Sequence, residues 1–338
     1  MGYKTYYAIL SGQHPTLPHG ELVGILDAEA MSYRIIARLT GATVFEADLP
    51  SGPHIITERA GWVKEVGLLW ALVEAEEEQI LGSASSLVEA RGPPRRVAYK
   101  RFKRMSQHID DARLKHTLKT LAHTNGTYEL RVFISEGAAI IGIVMARLDT
   151  RALYYRSPGR RPFFRPGPLS PNLTRAMINL SRLRRGDTYL DPFCGTGGFA
   201  LEACLIGAGR CYCGDISGDM VRGSRINLAH YKVYSRCLVM AATATSIPLR
   251  DETIGALATD PPYGRSTTTK GRDYRVLVRR FLEEAARVVR RGSYIVYAGP
   301  LSGRPSELAE DAGLQVVDRY HMHVHGSLTR EVVVAIRR

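Results

Sequence analysis

The sequence has no long hydrophobic run, which argues against a membrane-spanning protein. No stretch reaches the ~18 uninterrupted apolar residues that a membrane-spanning helix needs. The opening MGYKTYYAIL leads directly into a strand-like alternation and lacks the cleavage region of a signal peptide. Internal repeats and low-complexity segments are missing too. We therefore expect a cytoplasmic protein without a membrane partner, whose 338 residues are enough for two or three domains.

Cysteine is scarce and confined to one part of the chain. No two cysteines have the CxxC spacing of many zinc sites, and no histidine pair lies nearby at ligand spacing. An odd, clustered number is not typical of the disulfide framework of a secreted protein. We therefore predict buried free thiols and no metal site, with zinc binding as the alternative. The cysteines are Cys194, Cys204, Cys211, Cys213 and Cys237.

Acidic residues are scarce in one segment, so the net charge of +13 is unevenly distributed. Residues 91–170 hold 17 Lys or Arg against 5 Asp or Glu, whereas residues 1–90 hold 5 against 12. Such a concentration of positive charge is typical of a surface that binds nucleic-acid phosphates. An Arg-rich composition without such a partner is the alternative, but it explains the total charge better than the clustering.

The pattern of apolar residues divides the chain. The first part mixes strand-like and helical segments, which predicts an α+β organisation. The stretch SPGRRPFFRPGPLSP holds five prolines and cannot continue a helix or a central strand, so we interpret it as a linker. From Asn172 onward, short apolar strands alternate with helices, which predicts an α/β fold with a mostly parallel sheet. A short turn joins the last two strands, so we expect an antiparallel edge.

A glycine-rich turn follows the first strand of the α/β part. In DPFCGTGG the strand ends at Asp191 and a helix begins after Gly198, and glycine allows a tight turn close to a ligand. The next strand ends at Gly214 and Asp215, where doubly wound folds bind ribose hydroxyls. The phosphate-binding pattern GxxxxGK[ST] is missing. Glycines that only permit tight packing are the alternative.

The motif DPPYG follows an apolar strand and predicts amine chemistry. The exocyclic amine of a base is a poor nucleophile, because its lone pair is delocalised into the ring. The Asp260 carboxylate and a carbonyl of the Pro261-Pro262 turn can accept its N–H groups, while Tyr263 offers a flat face to a base taken out of its helix. The carboxylate also stabilises the developing positive charge and can accept the proton. A rigid turn is the alternative for this motif alone.

Three segments resemble those of one family: YYAILSGQHPTLPHGEL, RRPFFRPGPLSPNLTRAMINLSR, and LDPFCGTGGFALEA with TDPPYGRS. In these the chain resembles the archaeal and eukaryotic THUMP-containing tRNA (guanine-N2) methyltransferases that modify position 10. The resemblance implies a ferredoxin-like unit (1–56), a THUMP RNA-binding domain (57–150), a linker (151–171) and a class I, Rossmann-like methyltransferase domain (172–338). It also implies that the THUMP domain docks on the tRNA 3′ end, and it is compatible with a small activating protein partner.

The resemblance implies methyl transfer from S-adenosyl-L-methionine to the N2 amine of a tRNA guanine, once or twice. The guanine would be held by Asp260, Pro261, Pro262 and Tyr263. The cofactor would be bound by Asp191, Phe193, Gly195, Thr196, Gly197, Asp215, Ile216, Thr243 and Asp260. One departure concerns the adenine site: Ala242-Thr243-Ala244 stands where the family commonly has Gly-Asp-Ala, so Thr243 offers a hydroxyl in place of a carboxylate.

Three alternatives remain at this point. The first is a THUMP methyltransferase for another tRNA guanine. The second is a DNA amine methyltransferase, which the basic N-terminal half disfavours. The third is an RNA-binding protein with a disused cofactor pocket, which the intact Asp191, Gly195, Gly197, Asp215 and Asp260 disfavour.

Overall fold

A computed structural model of the protein describes residues 2–102, 109–263, 274–326 and 328–338. The chain forms two compact units. The first comprises Met1–His19, Met31–Glu58 and Trp62–Leu148, and the second comprises Gly20–Ala30, Arg59–Gly61 and Asp149–Arg338. Among the described residues, no helix is both long and apolar enough to span a membrane.

The described strands of the first unit form one sheet. They are β1 (Lys4–Leu10), β2 (Tyr33–Leu39), β3 (Ala42–Ala47), β4 (Val63–Glu74), β5 (Arg96–Arg101), β6 (Glu129–Ser135) and β7 (Ala138–Arg147). Their order is β2-β3-β1-β4-β7-β6-β5, with β5 and β6 parallel and the other neighbours antiparallel. Strands from both predicted N-terminal domains therefore share this sheet, and the domain boundary between them stays a prediction.

Two of the first four helices pack against the sheet of the first unit. The helices up to this point in the chain are α1 (Leu17–Ala28), α2 (His54–Arg59), α3 (Glu77–Arg91) and α4 (Asp111–Thr120). α3 buries Leu87 and α4 buries Leu114 in a core shared with Val132 and Ile141 of the sheet. The carboxylate of Asp110 caps α4 by accepting two backbone N–H bonds from its first turn, as short polar residues do at helix starts.

The second unit contains a sheet with helices between its strands. Its helices are α5 (Thr150–Tyr155), α6 (Pro171–Leu180), α7 (Gly198–Leu205), α8 (Gly218–His230), α9 (Tyr274–Val288) and α10 (Pro305–Asp311). Its strands are β8 (Thr188–Asp191), β9 (Arg210–Asp215), β10 (Cys237–Ala241), β11 (Ile254–Thr259), β12 (Val289–Pro300), β13 (Gln315–His325) and β14 (Leu328–Ile336).

The strand order of the second unit is β10-β9-β8-β11-β12-β14-β13. The first five strands in this order are parallel to one another, while β14 pairs antiparallel with both β12 and β13. β11 is buried along its whole length, which is typical of an interior strand with helices on both faces. The predicted fold class, including the antiparallel C-terminal edge, is confirmed.

A buried polar network attaches the middle of α1 to α6 within the second unit. The carboxylate of Glu21 accepts the N–H of Gly61 at 2.6 Å and the side-chain amide of Asn179 at 3.0 Å. A Cβ on Gly24 would lie 2.3 Å from the Asn179 carbonyl oxygen, so only glycine fits this helix contact. Residues 20–30 and 59–61 thus share a compact unit with residues 149–338.

Candidate active site

Three carboxylates lie at the carboxyl ends of three adjacent strands. β8 ends at Asp191, β9 ends at Asp215, and Asp260 directly follows β11. β8 lies between the other two strands, and all three run in parallel, so their carboxyl ends meet at one edge of the sheet. This is the edge at which open α/β folds bind ligands. The structure therefore brings together the acidic residues that the sequence predicted.

The glycine-rich turn after β8 has the conformation that glycine favours. Gly195 has φ +48° and Gly197 has φ +82°, both in the left-handed region. The Gly195 N–H donates to Asp215 Oδ2 at 2.9 Å, which links the turn to β9. A Cβ on Gly195 would meet only the Phe193 carbonyl oxygen, at 4.0 Å, so the space above this residue is open. The turn therefore forms a cradle at Gly195.

Asp191 is a buried carboxylate whose hydrogen bonding is incomplete. Its side chain is fully buried, and Oδ1 accepts the Thr259 hydroxyl at 2.6 Å and the Phe193 N–H at 3.3 Å. Oδ2 has no hydrogen-bond partner among the described residues. Burial raises the pKa of Asp191 to about 7, and the charges of Asp215 and Asp260 act in the same direction. A buried oxygen in this state fits a charged donor from a ligand.

The end of β9 presents a second carboxylate. Asp215 Oδ1 accepts the Ser217 N–H at 2.9 Å, so backbone donors hold both of its oxygens in place. Burial raises the pKa of Asp215, and the hydrogen bonds from Ser217 and Gly195 oppose this shift. Each carboxylate oxygen keeps capacity for another donor. The next side chain, Ile216, is 59% exposed although it is apolar.

A mostly apolar slot lies beside this carboxylate. It is lined by Leu190, Pro192, Gly214, Met240, Ala242, Thr243, Ile247 and Pro248. The Thr243 hydroxyl bonds to that of Thr245 at 2.9 Å and accepts the Thr245 N–H at 3.3 Å. The slot thus has mostly apolar walls and one hydroxyl that is already engaged locally.

The remaining predicted cofactor residues lie on or beside the same turn. Phe193 is half-buried and packs edge-on against Phe281, with the ring centroids 5.2 Å apart. Thr196 is buried, and its carbonyl oxygen accepts a hydrogen bond from the Asn227 side-chain amide at 2.9 Å. A Cβ on Gly197 would lie 3.1 Å from the Ser224 Cβ, so a larger residue would strain the start of α7.

The DPPY residues form a second cluster at this edge. Tyr263 donates its hydroxyl to Asp260 Oδ1 at 2.5 Å, while Pro261 is buried and Pro262 half-buried in the turn between them. Burial raises the pKa of Asp260 above its usual value, and the charge of Arg330 opposes this shift. Burial also raises the pKa of Tyr263, which keeps its hydroxyl protonated as a donor. The motif's last residue, Gly264, lies outside the described residues.

Two further side chains join this cluster, and neither was predicted. Arg330 of β14 donates its Nε–H to the Tyr263 hydroxyl at 2.9 Å, and its guanidinium carbon lies 5.7 Å from the Tyr263 ring centroid. Tyr274 packs edge-on against Tyr263, and its buried hydroxyl has no hydrogen-bond partner within the described part of the chain. Arg330 lies 67 positions from Tyr263 in the sequence, so no local spacing links them.

The predicted linker also contributes to the site. Arg161 is buried, with Nη1 3.4 Å from the Thr196 hydroxyl oxygen, and a Cβ on Gly198 would lie 2.8 Å from the same nitrogen. The backbone of Phe163 exchanges two hydrogen bonds of 2.9 Å with the Asn227 side chain. Asn227 also holds Thr196, so the segment supports the glycine-rich turn. Proline content did not predict this role, because it indicates only that a helix or strand is interrupted.

Fold and site together define a class I, S-adenosylmethionine-dependent methyltransferase. The family described as UPF0020, RMKL-like, methyltransferase domain matches residues 158–331. The tRNA (guanine(10)-N2)-dimethyltransferase of Methanothermobacter thermautotrophicus is 31% identical over 97% of this chain and 98% of its own length. The protein of that name from Methanocaldococcus jannaschii is 30% identical over 96% and 98%. The chain belongs to the family of these tRNA guanine-N2 methyltransferases, as the resemblance predicted.

The fold extends to more distant relatives. The crystal structure of TrmN from Thermus thermophilus covers 99% of this chain and 100% of its own, with a TM-score of 0.58 and 18% identity. At this identity the likeness concerns the fold alone. It covers both units of the chain.

Proposed function

We propose that this methyltransferase transfers methyl groups to the N2 amine of a guanine in tRNA, with nucleotide 10 as the target. The observation that carries the proposal is Asp260, a half-buried carboxylate at the ligand-binding edge whose orientation Tyr263 fixes through Oδ1. The names of the two archaeal relatives support the choice of base, atom and nucleotide. They also support a second methylation of the same nitrogen.

The carboxylates of the other two strands fit the polar groups of the cofactor. S-adenosylmethionine, when bound, supplies an electrophilic methyl group. Asp191 Oδ2 would accept its amino group, which relieves the incomplete hydrogen bonding of that oxygen. Asp215 would accept the ribose hydroxyls, and the adenine would lie against the exposed Ile216 and the residues around Thr243. The open cradle at Gly195 leaves room for the methionine part.

Asp260 then acts on the guanine amine. One of its oxygens is held by Tyr263, and the other accepts an N2–H bond, which directs the nitrogen lone pair toward the methyl donor. As N2 gains the methyl group it becomes positively charged, and the nearby carboxylate stabilises this charge. N2 then releases a proton, which Asp260 can accept because burial has raised its pKa.

The same carboxylate can serve two transfers. A guanine N2 amine carries two N–H groups, so one N–H remains after the first methylation. That remaining N–H can donate to Asp260 in the second round, with the first methyl group turned away. The chemistry of the site therefore allows dimethylation without a second acid–base residue.

The first unit supplies a positively charged surface for the tRNA. Arg113, Lys115 and Lys119 are exposed on α4, and Arg95 and Arg96 are exposed at the start of β5. Exposed Lys and Arg side chains on one segment fit a phosphate backbone. We place the unpaired 3′ end of the tRNA on this unit, as the family resemblance implies, while the target guanine enters the second unit.

The test of the proposal is nucleoside mass spectrometry on an archaeal tRNA transcript methylated by the full-length protein. We expect N2-methylguanosine at nucleotide 10 early in the reaction and N2,N2-dimethylguanosine later. The matched control is the same transcript with adenine at position 10, which should stay unmodified. Methylation at another nucleotide, or equal modification of the control, would contradict the proposed target.

A second experiment tests the 3′-end anchor separately. Removing the unpaired 3′ nucleotides should strongly reduce the methylation rate although the target guanine is intact. Restoring those nucleotides to the trimmed tRNA should restore the rate. Equal rates for trimmed and intact tRNA would contradict the anchor and leave the basic side chains as a general phosphate-binding surface.

A further inference from the structure

Three cysteines converge in the second unit, away from the carboxylates. Cys211 lies near the start of β9 and is paired in register with Cys237, the first residue of β10. Cys204 lies in the last turn of α7. Its Sγ is 3.2 Å from the Sγ of Cys211 and 3.5 Å from that of Cys237, and all three sulfur atoms lie within 4.8 Å of one another. We call these residues the thiol cluster.

The distances in the thiol cluster fit a shared metal ion. Zinc–sulfur bonds of about 2.3 Å in a tetrahedral site place the sulfur atoms about 3.8 Å apart. The two Sγ–Sγ separations of Cys204, 3.2 and 3.5 Å, lie slightly below this value. The separation between the sulfur atoms of Cys211 and Cys237 is at most 4.8 Å, which a small shift brings to it. A disulfide could join only two of the sulfur atoms and would leave the third as a free thiol, whereas one cation can bind all three.

The surroundings of the thiol cluster suit a cation bound by thiolates. Cys204 and Cys211 are buried, while Cys237 is partly exposed and gives an entry path. Arg236 donates to the carbonyl oxygens of Cys204 at 2.9 Å and of Ala208 at 3.3 Å, so a positive charge lies beside the cluster. Cys211 and the active-site residue Asp215 lie toward opposite ends of β9. The thiol cluster therefore lies at the end of the strand away from the carboxylates.

We propose that Cys204, Cys211 and Cys237 bind one thiophilic divalent cation, with Zn²⁺ as the first candidate. Thiolate ligands are those that zinc prefers, and binding releases protons from the cysteine thiols. The cation joins the end of α7 to β9 and β10. These elements carry the glycine-rich turn and Asp215, so its role is structural.

The test measures metal content and thiols in the full-length protein purified without chelator. We expect one zinc per chain by plasma mass spectrometry, lost together with several degrees of thermal stability in Cys211→Ser. Cys194→Ser, which changes a buried cysteine outside the thiol cluster, should keep the metal. Neither readout uses RNA, so the result is independent of the proposed methylation.

Two outcomes would overturn the metal site. A metal-free protein with five reactive thiols after denaturation would mean that the cysteines are simply buried. A mass lower by two hydrogens, with three reactive thiols, would mean that a disulfide is formed instead. If Cys211→Ser does not fold, cobalt exchange into the wild-type protein decides: the absence of thiolate-to-cobalt absorption bands would contradict the proposal.

Discussion

Two buried carboxylates, one in each unit of the molecule, differ in how completely they are hydrogen-bonded. In the first unit, Glu65 accepts hydrogen bonds from Tyr7, from two nitrogens of Arg131 and from Arg147, so both of its oxygens are paired. In the second unit, the more deeply buried Asp191 keeps one oxygen without a partner in the described residues. A saturated buried carboxylate stabilises its sheet, whereas an unsaturated one lowers stability and is available to a ligand.

The largest expected effect on stability comes from breaking the saturated group. Glu65→Gln removes the charge that Arg131 and Arg147 share, so it should lower the free energy of unfolding by about 3–5 kcal/mol, the usual cost of leaving a buried charge unpaired. Denaturant titration measures this loss. Cofactor affinity, measured at a temperature where the variant is folded, should stay unchanged. A weakened affinity would contradict the assignment of a purely stabilising role to Glu65.

The largest expected effect on catalysis comes from Asp260. Asp260→Asn keeps an acceptor for the Tyr263 hydroxyl but loses the charge and the base, so single-turnover methylation should slow at least ~100-fold. Binding of tRNA should change little, because phosphate contacts dominate affinity for nucleic acids. The matched control is Asp311→Asn, an exposed acid on α10. Wild-type turnover in the Asp260 variant would remove this residue from the mechanism.

A smaller effect is expected from Arg330, which acts through its neighbours. Arg330→Gln should slow methylation roughly tenfold to a hundredfold, the scale of one charged hydrogen bond. The charge of Arg330 lowers the pKa of Asp260, so its loss should raise that pKa. Since a base must be deprotonated, the acid limb of the pH–rate profile should then move to higher pH. Arg330→Lys should restore part of the shift.

The control for this prediction is Arg319→Gln, which changes an exposed arginine on the neighbouring strand β13. A slower Arg330 variant with an unmoved pH profile would indicate that the residue only supports the fold. In that case the electrostatic role assigned to Arg330 would be wrong, although its contact with Tyr263 would stand.

The sequence predicted the parts of the site that depend on local order. Asp191, Asp215 and Asp260 each follow an apolar strand, and parallel strands bring their carboxyl ends to one edge whatever the loops between them do. Arg330 could not be found in this way, because its place depends on β14 inserting antiparallel between β12 and β13. Arg161 could not be found either, since a proline-rich pattern does not report which side chains pack back on the domain.

The shared first-unit sheet was equally hidden from sequence patterns. β4 joins β1 on one side and β7 on the other, and such long-range pairing is decided by tertiary packing. The apolar strand predicted before Asp260 is observed as β11, Ile254–Thr259. Local apolar runs thus predict where strands occur, but they do not predict which strands pair in a sheet.

The central claim is that the unpartnered oxygen of Asp191 is a ligand site that costs stability. Burial raises the pKa of the Asp191 carboxyl group from its usual 3.8 to about 7. Between these values the folded protein binds more protons than the unfolded chain, so the stability of the cofactor-free protein should fall as pH rises through this window. Removing the charge should therefore stabilise the protein at neutral or higher pH.

Thermal unfolding of Asp191→Asn at pH 7.5, with and without S-adenosylmethionine, tests this claim most directly. We predict that the cofactor-free variant melts a few degrees above wild type while its cofactor affinity falls about tenfold, the scale of one charge-assisted hydrogen bond. The gain in melting temperature should shrink as the pH falls toward 4. A variant that melts below wild type at pH 7.5 and binds the cofactor normally would contradict the account.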